Sequence, residues 1–189
     1  MKKVLLLGLC TFATFALTGC EMIEGLLKGG EDLLNEKKEY KYDDFAVLIA
    51  DKDFSFSYTT CTTAIEEGDD KSSIEFKYDK EDKEWHYSSM IVNDKEITKE
   101  GTKKLDLVSY VKNFKTIAEL LGKKVDNVYK FSASKNGYFV TASYKDDEKQ
   151  VDGEYNFNTE GLVTSENEKM TNLDTVKAVT RKVTYSYFE

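Results

Sequence analysis

Proton transfer, nucleophilic attack and ion binding need particular side chains, and this sequence is sparing with them. His86 is the only histidine. That excludes a histidine pair, a histidine-based metal triad, or a Ser-His-Asp set with a ligand to spare. Cys61 and His86 could act as nucleophile and base only if the fold brought them within hydrogen-bond reach in an accessible cleft. Neither spacing nor flanking residues points that way. The expected states are a small buried thiol and a satisfied or solvated imidazole. Acidic doublets stand at Asp43-Asp44, Glu66-Glu67, Asp69-Asp70 and Asp146-Asp147-Glu148. Paired carboxylates can hydrolyse glycosides when they flank a sugar cleft, but each of these falls at an element end or turn, where charge is simply solvated. Asn156-x-Asn158-x-Glu160-Gly161 has the oxygen spacing and glycine of a calcium loop. It lacks the leading Asp, and Asn167 stands where a bidentate Glu belongs, so it reads as a hairpin turn. Neither a catalytic residue nor a resident metal or cofactor is expected.

The aromatics are the remaining candidates: 12 Tyr, 11 Phe and one Trp. Strand parity and one helical stripe put Phe54, Phe56, Tyr58, Phe76, Trp85, Tyr87, Val111, Phe114, Tyr155 and Phe157 on inward faces. These residues either form a solid core or line a cavity between sheet and helix that would accept an acyl chain or another apolar ligand. Periodicity is identical in the two cases.

The elements that must position them follow from the pattern. A short helix is expected over the apolar run from Tyr42 to Ile49, with Asp43 and Asp44 in its first turn. Phe54, Phe56 and Tyr58 then alternate with Ser55, Ser57 and Thr59, the signature of a half-buried strand running on to Ala64. Further strands are expected at Ile74–Tyr78, Trp85–Val92 and around Ile97. In the second, Trp85, Tyr87, Ser89 and Ile91 should share one face. A long helix should follow Gly101, capped by Thr102, with Leu105, Leu107, Val108, Val111, Phe114, Ile117, Ala118 and Leu121 at helical spacing until Gly122 stops it. So broad a stripe must lie against the sheet. Val128–Ser134 and Tyr138–Lys145 should form a hairpin around Asn136-Gly137 with a type I′ turn. Glu154–Asn158 and Leu162–Glu168 should form another, and Val176–Phe188 a last strand. The class is therefore α+β: an antiparallel sheet of about eight strands, one long helix on one face, and a short N-terminal helix.

Charge narrows the partners. The formal net charge is −8, with 26 lysines, Arg181 as the only arginine, and no proline. Such a chain offers no clustered cations for nucleic acid or for an anionic membrane surface. The first residues carry a different signal: Lys2 and Lys3, an apolar run from Val4 to Leu17, then Leu17-Thr18-Gly19-Cys20. The run is short for a bilayer span and has the layout of an export signal. It resembles a bacterial lipoprotein precursor, with Leu17-Thr18-Gly19-Cys20 as the lipobox. That resemblance implies cleavage before Cys20, a diacylglyceryl group on its sulfur, and attachment to the cell membrane facing away from the cytoplasm. Two acyl chains hold firmly without help from a basic patch. Residues 1–19 are then a signal peptide, residues 20–39 a glycine-interrupted tether, and residues 40–189 a single domain. Cys61 is the one other cysteine left after cleavage, so no intramolecular disulfide is expected.

The layout of that domain resembles the half-barrel of lipoprotein-carrier proteins of the LolA and LppX type, notably at Asp44 to Thr59 and at Gly153 to Val163. The resemblance implies a non-catalytic domain that binds an apolar or amphipathic ligand under a helical lid. The rival expectation is a structural or interaction module of the cell envelope, with a solid core and a protein partner.

Overall fold

The computed structural model describes residues 37–189; the leader, Cys20 and most of the expected tether lie outside them. This segment forms one unit with its own hydrophobic core, the property that lets a unit fold alone. It contains β1 (Lys38–Tyr40), α1 (Tyr42–Ala50), β2 (Thr60–Glu67), β3 (Asp70–Asp79), β4 (Glu84–Val92), β5 (Lys95–Lys103), α2 (Leu107–Leu120), β6 (Tyr129–Ser134), β7 (Gly137–Lys145), β8 (Lys149–Phe157), β9 (Val163–Asn172) and β10 (Ala178–Phe188). A single 3-10 turn, Val125–Asn127, leads into β6. All ten strands join one open antiparallel sheet in the order β1-β6-β7-β8-β9-β10-β2-β3-β4-β5. No helix among the described residues is long and apolar enough to cross a membrane.

The α+β class holds, with ten strands where the pattern suggests about eight. The strand without sequence signal is β1, a three-residue edge across the expected boundary between tether and domain, paired Lys38 to Ala133 and Tyr40 to Phe131. Four further expectations need correction. Phe54, Phe56 and Tyr58 lie in an irregular extended segment, and the strand begins only at Thr60. Side-chain alternation there reflects burial on one side, without a ladder on the other. The helix cap is Asp106 rather than Thr102: its Oδ1 accepts from the Ser109 amide at 2.8 Å, while Thr102 stays in β5. The turn joining β6 and β7 is Lys135-Asn136, and neither has positive φ, so it is not type I′. Gly137 instead opens β7 at φ +137°, and a Cβ there would run into the Phe157 carbonyl. Finally, a β-bulge between Tyr87 and Ser89 slips the parity of β4. Met90 pairs with Ile74, and Met90 and Val92 join the Trp85 and Tyr87 face in place of Ser89 and Ile91.

Two different covers bury the inner face. Over β6 to β8 lie the helices: Phe45 of α1 meets Phe131 at 5.1 Å, and Phe114 of α2 meets Tyr129 at 4.6 Å and Tyr155 at 4.9 Å. The other half has no helix on it and curls instead. In the sheet order β5 is five strand spacings from β9, about 24 Å if the sheet were flat. Yet Lys103 at the end of β5 reaches Glu166 of β9 at 2.9 Å. The chain beyond Lys103 is also bonded to the start of β9, Val163 N to Leu105 O at 2.9 Å, with Leu107 N to Gly161 O at 2.7 Å beside it. A flat sheet cannot satisfy these contacts. The extended segment of residues 52–59 plugs the curl, with Phe56 against Tyr78 and Trp85 and with Tyr58 against Tyr187.

Candidate functional site: the groove at the seam

Where the end of β5 and helix α2 meet β8 and β9, an open groove of about 580 Å³ remains. Its apolar wall is Phe114 and Ile117 of α2 with Tyr129, Tyr144 and Tyr155 from three successive strands. These rings are held by one another: Tyr129 lies 6.3 Å from Tyr144 as well as against Phe114. At the rim stand Lys103 and Lys104 from β5 and its exit, and Ser109, Lys112 and Asn113 from α2.

Its floor is polar and fully partnered. Glu166 is 5% exposed, and its Oε1 accepts from Tyr110 Oη, from Tyr185 Oη at 2.6 Å and from Lys103 Nζ at 2.9 Å. Lys103 also donates to Tyr185 Oη at 2.6 Å, and Arg181 approaches Oε2 at 3.5 Å. Burial by itself would raise the Glu166 carboxyl. The Lys103 charge and the three hydrogen bonds outweigh it and hold the group below its ordinary value. Burial pushes Tyr110 and Tyr185 far up, so both stay neutral donors. Glu168 beside it accepts from Tyr155 Oη at 2.6 Å and faces Arg181 at 3.6 Å. One carboxylate thus ties together β5, α2, β9 and β10. No buried side-chain polar atom among the described residues lacks a partner.

Of the aromatic and apolar candidates, Phe114 and Tyr155 reach this groove while staying buried in the core at 4% and 6% exposure. Phe76, Trp85, Val111 and Phe157 are buried in the packed core, and Phe54, Phe56 and Tyr58 pack against it from the crossing segment. Tyr87 lies over Gly101 inside the curl and borders two smaller clefts beside the β4 bulge. Tyr110, Glu166 and Lys103 carry no sequence mark as site residues. Tyr110 sits among apolar residues at helical spacing, and Glu166 lies in the expected strand Leu162–Glu168 among the polar residues Glu166-Asn167-Glu168-Lys169.

The Cys61–His86 pairing does not form. Cys61 is fully buried, burial pushes its thiol up to about 12, and its neighbour is Tyr187. His86 Nε2 contacts Asp82 Oδ2 at 2.6 Å on the exposed surface. Asp79 completes an exposed three-residue cluster with that pair. Asn158 closes its hairpin by accepting from the Leu162 amide at 2.8 Å. No family model, curated protein or solved structure matches the chain.

Proposed function

We propose that the protein is a lipoprotein of the cell envelope, anchored by diacylglyceryl on Cys20 and facing outside the cytoplasm, whose domain binds an amphipathic ligand without catalysis. The observation that carries this reading is the seam groove, an aromatic wall of about 580 Å³ beneath a polar rim. Its size falls within the range of small-molecule sites, and its mixed lining suits a ligand with both an apolar body and a polar head. The curled half-sheet with α2 beside it agrees with the half-barrel layout of lipoprotein carriers that the sequence resembles.

Native mass spectrometry of residues 37–189, before and after organic extraction, tests the proposal. A defined extra mass that extraction removes is the expected result. A clean apo mass that stays unchanged after mixing with bacterial lipids would sink it.

One observation favours the second reading, a protein-interaction module. Edge strand β5 is nine residues long and exposed over most of its length, so its outer edge is open to another strand. Under that reading the apo mass result would be joined by a crosslinked envelope protein mapping to Lys95 or Lys99.

A further inference from the structure

The sign of the ligand's charge follows from which charges the groove has already used. This inference rests on the amphiphile reading of the same groove. Both floor carboxylates are consumed: Glu166 by Tyr110, Tyr185, Lys103 and Arg181, and Glu168 by Tyr155 and Arg181. Glu166 is left with little to offer a cationic head, and the charge of Glu168 is already met by Arg181 at 3.6 Å. Lys103 is spent in the same network.

The other two rim lysines stand outside that network. Lys112 is exposed on α2 and has no ion-pair partner among the described residues. Lys104 is half exposed and meets only Glu84, at 3.7 Å. An incoming ligand therefore sees a neutralised floor, an aromatic wall and two available cations, in a chain whose formal net charge is −8. From this charge complementarity we infer that the groove selects an anionic amphiphile, a single acyl chain ending in a carboxylate or phosphate. The chain lies along Ile117 and Tyr144, the half-buried members of the wall, and the head lies between Lys104 and Lys112.

Three twelve-carbon amphiphiles isolate the head: laurate, dodecyltrimethylammonium and dodecyl maltoside, each titrated calorimetrically into residues 37–189 below its micelle-forming concentration. Laurate should bind about tenfold or more tightly than the other two, with an affinity that falls as salt rises. Lys112→Glu, an exposed change that leaves the melting temperature in place, should abolish most of that preference. Equal binding of all three, tighter binding of the ammonium, or laurate binding indifferent to Lys112→Glu would overturn the inference and leave the groove standing as a site. Binding of none of the three would overturn both.

Discussion

The helix-covered strands and the curled strands of this one sheet bury their inner faces by different means. Over β6 to β8, inward residues such as Phe131, Val140 and Phe157 are 1–2% exposed because α1 and α2 lie on them. In the curled half, Cys61, Phe76 and Trp85 are equally buried, but only near the end that Phe56 and Tyr58 plug. At the opposite end the inward positions Ile65, Ile74, Met90 and Val92 are half-buried, and Ile97 is 46% exposed. The same alternating pattern thus gives core in one place and open surface in another. Cover decides burial, and the pattern of a strand does not report its cover.

The largest test of that contrast is a cavity in the helix-covered half. Phe131→Ala removes a ring stacked among Phe45, Tyr42 and Tyr129 and should cost about 3–5 kcal/mol in urea unfolding. Next comes the seam. Glu166→Gln takes away the charge that compensates Lys103 and Arg181 in a nearly buried site. Because Lys103 is still 34% exposed, the loss should be about 2–3 kcal/mol, short of the full cost of breaking a buried pair.

The same residue fixes the acid limb of stability. Glu166 titrates below its ordinary value in the fold, so as pH falls the unfolded chain takes up the proton first. The stability it contributes is present above about pH 4–5 and is lost as pH drops through the folded value. A pH series of urea midpoints should show that loss in the parent and less of it in Glu166→Gln. The buried tyrosines act oppositely. Burial holds Tyr110, Tyr185 and Tyr187 well above their ordinary value, so their contribution is intact at neutral pH and disappears as pH rises past about 10. Tyr187→Phe should shift the alkaline limb and leave the acid limb in place, whereas Glu166→Gln should touch both, because the Glu166 charge also helps to hold these tyrosines up.

Legibility in the sequence followed the range of the interaction. Both helices, the Gly122 stop at φ +63° and the existence of the hairpins were readable because amphipathic spacing, alternation and glycine act over a few residues, whereas the cap at Asp106 and the turn type at Lys135-Asn136 were not. What was hidden depends on distant partners. Lys-Glu-Tyr at β1 is a strand only because β6 offers it an edge. Met90 and Val92 change face through a bulge that no local residue announces. The Glu166 cluster needs β5 to arrive over β9, a contact between residues 63 apart in the chain. Within the expected strand Leu162–Glu168, Glu166 carried no mark of its own, although its register partner Tyr155 was recognisable as inward.

The smallest effects lie in the curled half, and two glycines sharpen the comparison. Gly137 in the covered half meets backbone: a new Cβ would strike the Phe157 carbonyl, at a φ of +137° that L side chains rarely adopt. Gly137→Ala should therefore destabilise by about 1–3 kcal/mol, since neither obstacle can move. Gly101 looks almost as crowded, with a Cβ falling 2.6 Å from Tyr87 Oη. There the obstacle is the far end of a half-buried side chain facing the open part of the curl, and the backbone has no positive φ. Tyr87 can swing away, so Gly101→Ala should cost below about 1 kcal/mol by the same urea measurement. Ile97→Thr, at the exposed end of the same strand, should stay within about 0.5 kcal/mol. If Gly101→Ala instead matched Gly137→Ala, the curled half would be packed as rigidly as the helix-covered half. The contrast between a face closed by helices and one closed by its own curvature would then fail.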